Sequence, residues 1–133
     1  MMSIDTPASK KFAASFKKRW GADRVVADPQ ESAYNMVYLW KQAGEDAGTF
    51  DDNAVREALV GQKFDAPQGP VEVMPNHHLS QTVRIGEINA EGGFTILEET
   101  GVVLPQAWNQ KHPSSKGFAC DWTDPSKGEK YKL

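Results

Sequence analysis

The strongest constraint on how this chain folds is the five-residue segment Ala-Pro-Gln-Gly-Pro at positions 66–70. Two prolines and a glycine so close together cannot continue a helix, because proline lacks an amide N–H and clashes with the preceding turn. Apolar residues recur at helical spacing before Phe64 and alternate after it. The sequence therefore predicts helices in the first half and short antiparallel strands from about residue 64 to 98.

The first two predicted helices begin with the same signal, a capping residue followed by proline. Thr6 can cap a helix over about residues 7–20, since its hydroxyl can accept from free N–H groups and proline fits the next position. Asp28 and Pro29 repeat the pattern. The helix that follows them is apolar around most of its circumference over residues 33–40, so it needs cover on several sides.

A third, short helix and a hairpin complete the predicted elements. Asp51 or Asp52 can cap the helix, and Gly61 closes it. The strands Val83–Ile88 and Phe94–Leu97 are predicted to pair as a hairpin, because the residues between them favour a turn.

Composition excludes several classes of protein. The net charge over the 133 residues is -3, and no basic stripe is available to neutralise phosphates, so we expect no nucleic-acid partner. Cys120 is the single cysteine, which rules out an internal disulfide and a cysteine cluster for zinc. No window approaches the roughly 20 apolar residues of a membrane span, and the first residues show no signal peptide.

The candidate catalytic residues are weak. His77 and His78 are adjacent in a turn-like setting without a second ligand pair at fixed spacing, which favours a structural role. The carboxylates Glu98 and Glu99 have no apolar surroundings that would raise a pKa, and Cys120 lies in no nucleophile motif. We therefore predict no catalytic residue, no metal site and no cofactor, and so not an enzyme.

Several longer phrases follow one another in a characteristic order: MSIDTP near the start, FDAPQGPV at 64–71, NHHL at 76–79, VRIGEI at 83–88 and ACDWTDPSKGEKYKL at the end. In this order the chain closely resembles the C-terminal third of the periplasmic urea and short-chain-amide binding proteins of ABC transporters. These form a branch of the branched-chain amino acid binding family. The resemblance implies an α/β fold of the type I periplasmic binding class, in which a small ligand is trapped between two lobes.

By this resemblance the chain is a partial lobe over residues 1–104, with about three helices and short antiparallel strands, followed by an extended tail over 105–133. The implied function is the solute-binding component of an ABC transporter for urea or short-chain amides, with the transporter's membrane subunits as partners. The full-length relative would be periplasmic. Two alternatives are a cytoplasmic amide sensor that regulates gene expression through a partner protein and, less favoured for want of a nucleophile with its base, an amidase or other hydrolase.

The resemblance also implies where a ligand would be contacted. In such proteins the turn before the second helix comes close to the cleft between the lobes, which points by position to Asp28, Pro29 and Gln30, with Tyr34 on the helix itself. The alternative is that Asp28 and Pro29 only start the helix and that Tyr34 is a core residue. With most of the fold missing, we expect the chain alone to associate with itself and to bind a solute weakly.

Overall fold

The computed structural model describes residues 2–106, 110–119 and 131–132. Three helices come first, namely α1 (Pro7–Trp20), α2 (Asp28–Ala47) and α3 (Asp52–Leu59). They are followed by the strands β1 (Lys63–Ala66), β2 (Gly69–Val73), β3 (Leu79–Ile88), β4 (Phe94–Val103), β5 (Phe118–Ala119) and β6 (Tyr131–Lys132). The predicted order of three helices followed by antiparallel strands is confirmed.

Helix α1 starts where its cap predicts. The Thr6 hydroxyl oxygen accepts a hydrogen bond from the Ser9 amide at 3.1 Å. The same hydroxyl donates to the Pro67 carbonyl at 3.1 Å. One side chain therefore both caps α1 and ties it to the Ala-Pro-Gln-Gly-Pro segment, 61 residues further along the chain.

The predicted cap of α2 is wrong by one residue. Asp28 is the first residue of the helix, and Ala27, in extended conformation, is the N-cap. The Ala27 amide donates to Oε1 of Gln30 at 3.1 Å, so a side chain from within the first turn satisfies the N–H that precedes the helix. Asp51 caps α3 as predicted, its Oδ1 accepting from two amides at 3.1 Å.

Strands β1 to β4 form one antiparallel sheet in chain order. Residues 66–69 reverse the chain between β1 and β2, and Gly69 has φ 123°, a backbone conformation that favours glycine. The hairpin of β3 and β4 is confirmed and is longer than predicted, with irregular register between Thr82 and Arg84 and between Ile85 and Gly86. These irregularities interrupt the simple alternation of side chains along the hairpin.

The hydrophobic core is small and lies between α2 and the first two strands. It consists of Leu39, Ala66, Val71 and Val73, with Leu59, Phe64 and Leu79 packed against it. Much apolar surface stays outside this core. Among the described residues, Val37 on α2 is 65% exposed, and every residue of β4 is exposed.

Beyond β4, the described residues at 110–117 form turns, and β5 pairs with β6 over two residues. The remainder of the predicted tail, including Trp108, Cys120 and Trp122, lies outside the described residues. Within the part of the chain that is described, no helix is long and apolar enough to cross a membrane.

Candidate functional site

A cavity of about 400 Å³ lies where the amino-terminal segment, the start of α2, the 66–69 turn and the β3–β4 hairpin meet. Its polar lining includes Asp28, Gln68, Gln81, Thr82 and Arg84, and its apolar lining includes Ile4, Phe94 and Ile96. These four elements are far apart in sequence, so the cavity exists only in the folded chain.

The 66–69 turn positions Gln68 in the wall of this cavity. Gln68 is 6% exposed, and its Nε2 donates to Oε1 of Gln81 on β3 at 3.1 Å. Its backbone amide donates to Oε1 of Glu31 on α2 at 3.4 Å. The Gln68 side chain is thus held between the helix and the hairpin.

Arg84 gives the cavity a planar hydrogen-bond donor. Its Nε donates to Oε2 of Glu99 at 2.6 Å across the hairpin, and its side chain is 13% exposed. A Cβ at Gly69 would lie 3.9 Å from both Arg84 Nη2 and Thr82 Oγ1, which shows how closely the turn approaches β3. The Nη atoms of Arg84 make no hydrogen bond to any other described residue, so they can donate to a molecule in the cavity.

The structure brings one of the four predicted ligand residues to this cavity. Asp28 is exposed and lines the wall. Pro29 occupies the first turn of α2 and is exposed. Gln30 is also exposed, and its side chain is used to hold the Ala27 amide.

Tyr34 lies away from the lining residues, in an aromatic cluster. Its ring centroid is 4.7 Å from Phe12, 4.8 Å from Tyr38 and 6.2 Å from Phe64. The hydrogen bond with Tyr38, burial and the charge interaction with Tyr38 raise the pKa of Tyr34 to about 12. Tyr34 is therefore neutral at physiological pH and joins α1, α2 and β1, while its role in ligand binding stays a prediction.

Sequence reasoning did not identify Gln68, Gln81, Thr82 and Arg84 as site residues. They carry no local motif, because polar residues such as these are common in turns and along half-exposed strands. The confinement of Gln68 between two prolines and a glycine was the one available signal that its position is specified.

His77 and His78 lie in the connection between β2 and β3, as the sequence predicts for their position, while their structural role stays a prediction. His77 has φ 59°, and the His78 amide donates to Oδ1 of Asn76 at 3.2 Å. The His78 ring nitrogen Nδ1 lies 2.9 Å from the Asn76 carbonyl oxygen. No grouping of three or more His, Cys, Asp or Glu side chains that could hold a metal occurs among residues 2–106, 110–119 and 131–132.

Two solved structures are similar in fold to this chain. The solute binding protein of an ABC transporter from Rhodopseudomonas palustris BisB5, in complex with 3,4-dihydroxy benzoic acid, superposes with a TM-score of 0.65 at 21% identity. The solute binding protein of an ABC transporter from Rhodopseudomonas palustris HaA2, in complex with p-hydroxybenzoic acid, superposes with a TM-score of 0.60 at 27% identity. Each match covers 77% of this chain and 29% or 28% of the other.

Sequence comparison gives two further relatives. The limonene hydroxylase of Geobacillus stearothermophilus is 30% identical over 103 residues, which are 77% of this chain and 19% of that protein. The Leu/Ile/Val-binding protein homolog 6 of Brucella abortus (strain 2308) is 28% identical over 89 residues, 65% of this chain and 23% of that protein. The chain therefore spans about a fifth of the length of the curated relatives it matches.

The family match covers most of the chain. Residues 1–114 fit the family described as "Periplasmic binding protein domain", and this range contains all three helices and the four-stranded sheet. The agreement of sequence and fold confirms that the three helices and the sheet are a partial type I periplasmic binding fold. The chain belongs to the periplasmic binding protein domain family.

Proposed function

We propose that this chain is part of the solute-binding component of an ABC transporter, and that the solute is urea or a short-chain amide. The chain supplies one wall of the ligand cleft, and Asp28, Pro29, Gln30 and Tyr34 belong to or support that wall. The partners are the small polar solute and the membrane subunits of the transporter, and the longer protein acts in the periplasm.

The observation that carries the proposal is the mixture of hydrogen-bonding groups in the cavity. Asp28 contributes a carboxylate that can only accept, whereas Arg84 contributes N–H groups that can only donate. The amides of Gln68 and Gln81 can do both, although part of their capacity is used in the bond between them. A neutral amide needs this combination, with acceptors for its N–H groups and donors for its carbonyl.

Charge favours a neutral solute over a carboxylic acid. The positive charge of Arg84 is already matched by Glu99 at 2.6 Å, so the cavity gains a net negative charge from Asp28. A bound carboxylate would meet that charge and would be disfavoured by it. This argues for urea or an amide over the benzoic acids named for the two Rhodopseudomonas proteins.

The hydroxylase name of the Geobacillus relative is not carried over to this chain. The match covers 19% of that protein, whereas the family match to a binding domain covers residues 1–114 of this one. A non-catalytic binding role agrees with both the family and the cavity.

The proposal is tested by calorimetry on the longer protein that the relatives' length predicts, with urea, acetamide, leucine and 4-hydroxybenzoate as ligands. We expect urea or acetamide to bind tightest. Asp28→Ala should weaken that binding by about 10-fold to 100-fold, since a hydrogen bond to a charged group contributes about 1.5–3 kcal/mol. Asp65→Ala, which removes an exposed carboxylate of β1 outside the cavity lining, is the matched control and should leave binding unchanged.

Two results would overturn the proposal in different ways. Tighter binding of leucine or 4-hydroxybenzoate than of either amide would reject the solute class. Equal binding by the Asp28→Ala and Asp65→Ala variants would show that the cavity is not the cleft wall. Gln30→Ala and Tyr34→Phe should weaken amide binding if these side chains reach the solute in the longer protein.

A further inference from the structure

Two polar side chains are completely buried next to the cavity wall. Glu31 and Asn35 lie one turn apart on α2, and both are 0% exposed. Glutamate is almost never fully buried unless it is paired, because removing its charge from water costs several kcal/mol. Among the described residues no basic side chain forms an ion pair with Glu31.

Two of the four polar side-chain atoms of this pair have hydrogen-bond partners among the described residues. Oε1 of Glu31 accepts from Asn35 Nδ2 at 2.7 Å and from the Gln68 amide at 3.4 Å. The second oxygen of the carboxyl group, Oε2, has no partner in the described part of the chain, and neither has Asn35 Oδ1. Both are acceptors when Glu31 is ionised, so a single proton is what the pair lacks.

We propose that Glu31 binds this proton and forms a reciprocal acid–amide pair with Asn35. In the pair, Oε2–H of Glu31 donates to Asn35 Oδ1 while Asn35 Nδ2 donates to Glu31 Oε1. The proton comes from solvent and returns to it, and no other bond forms or breaks. Glu31 is thereby a positioning residue for Gln68, whichever solute the cavity takes.

The surrounding charges agree with this assignment. Burial raises the pKa of Glu31, and the nearby carboxylate of Asp28 raises it further. The hydrogen bonds from Asn35 and Gln68 and the positive charge of the amino terminus lower the pKa, and the net direction is upward. Among residues 2–106, 110–119 and 131–132, no other titratable group contributes to the shift.

The sign of the pH dependence follows from this direction. A carboxyl group whose pKa is higher in the folded chain binds more protons folded than unfolded, so protonation favours folding. The stabilisation of the fold by this proton is complete below the pKa of glutamate in the unfolded chain, about 4.3. It is lost as the pH rises through the raised pKa of folded Glu31. The replacement Glu31→Gln keeps one donor and one acceptor at the same positions and should remove this dependence.

The test combines a carbon-13 NMR titration of the side-chain carboxyl groups with chemical denaturation of the full chain at several pH values. Glu57 on α3 is the control, because it is exposed and forms no ion pair with another described residue. We expect Glu31 to titrate above the value of about 4.3 that glutamate has in an unfolded chain. We also expect Glu31→Gln to fold and to have a denaturation midpoint at neutral pH that is at least as high as that of the wild type. The stability of Glu31→Gln should no longer fall as the pH rises. The stability of Glu57→Gln should still fall.

Titration of Glu31 at or below about 4.3 in the wild-type chain would overturn the proposal. The same holds if Glu31→Gln folds but retains the wild-type pH dependence. The NMR measurement needs no variant that alters the core, so it decides the question even if Glu31→Gln does not fold. Neither readout involves a solute, so its outcome is separate from that of the proposed function.

Discussion

Replacing Leu39 with alanine should destabilise the chain by about 3 kcal/mol, because Leu39 is the central contact between α2 and the sheet. Leu39 is 0% exposed and belongs to the core cluster with Ala66, Val71 and Val73. Removing three carbons forfeits about 2.4 kcal/mol at about 0.8 kcal/mol per buried methylene. The cavity left behind adds a further cost, and measured Leu→Ala changes reach about 5 kcal/mol.

The lower part of that range applies because the site can relax. Leu59, Phe64 and Leu79 pack against the cluster and are only partly buried, so they can move toward the vacated space. A small domain has a total stability of about 5–15 kcal/mol, so a loss of about 3 kcal/mol is easily measured.

Denaturation should be followed in guanidinium chloride, since urea is a proposed ligand. With an m-value of about 3 kcal/mol/M, the midpoint should fall by about 1 M. Val25→Ala is the control, because Val25 lies before α2 and is 72% exposed, and it should change stability by less than about 0.5 kcal/mol. A loss below about 1 kcal/mol for Leu39→Ala, or equal losses for the two variants, would refute the packing of α2 on the sheet.

Three further predictions follow from the contacts. Thr6→Ala should lower the free energy of unfolding by about 1 kcal/mol or more, because it removes both the helix cap and the hydrogen bond to Pro67. Thr6→Ser should lower it less, and equal melting temperatures for the two variants would contradict this. Gly69→Ala should cost about 1–3 kcal/mol in the same assay, because alanine is strained at φ 123°, and an unchanged melting temperature would count against the turn geometry. The chain alone should form dimers or larger species in light scattering, and Val37→Glu should shift them toward monomer; a wild-type monomer at high concentration would oppose this.

Helix boundaries could be predicted well because they depend on neighbouring residues. Thr6 and Asp51 cap α1 and α3 where the sequence indicates. At α2 the choice of Asp28 as cap was wrong, because the Ala27 carbonyl already accepts from the Glu31 amide at 3.4 Å, so the helix begins one residue earlier. The succession of Asp28 and Pro29 in the sequence does not reveal this shift of one residue.

The cavity depends on contacts between distant parts of the chain and could not be predicted in the same way. The side chains of Gln68 and Gln81 form a hydrogen bond because β2 pairs with the first two residues of β3, next to Gln81. The length of the hairpin was underestimated, because the sequence near Gly101 favours a break and β4 continues through it with φ 72° at that glycine. The burial of Glu31 was likewise hidden, because a polar residue in the first turn of a helix is usually exposed.

The central claim is that this chain supplies one wall of a solute cleft completed by other residues, and calorimetry with urea and acetamide tests it most directly. Urea has only four non-hydrogen atoms, so a ceiling of about 1.5 kcal/mol per atom limits even a complete site to tens of micromolar. With one wall, we predict that the chain alone binds either solute no tighter than about millimolar, and that the longer protein binds clearly more tightly. Micromolar binding by the chain alone, or equal binding by both proteins, would contradict the account.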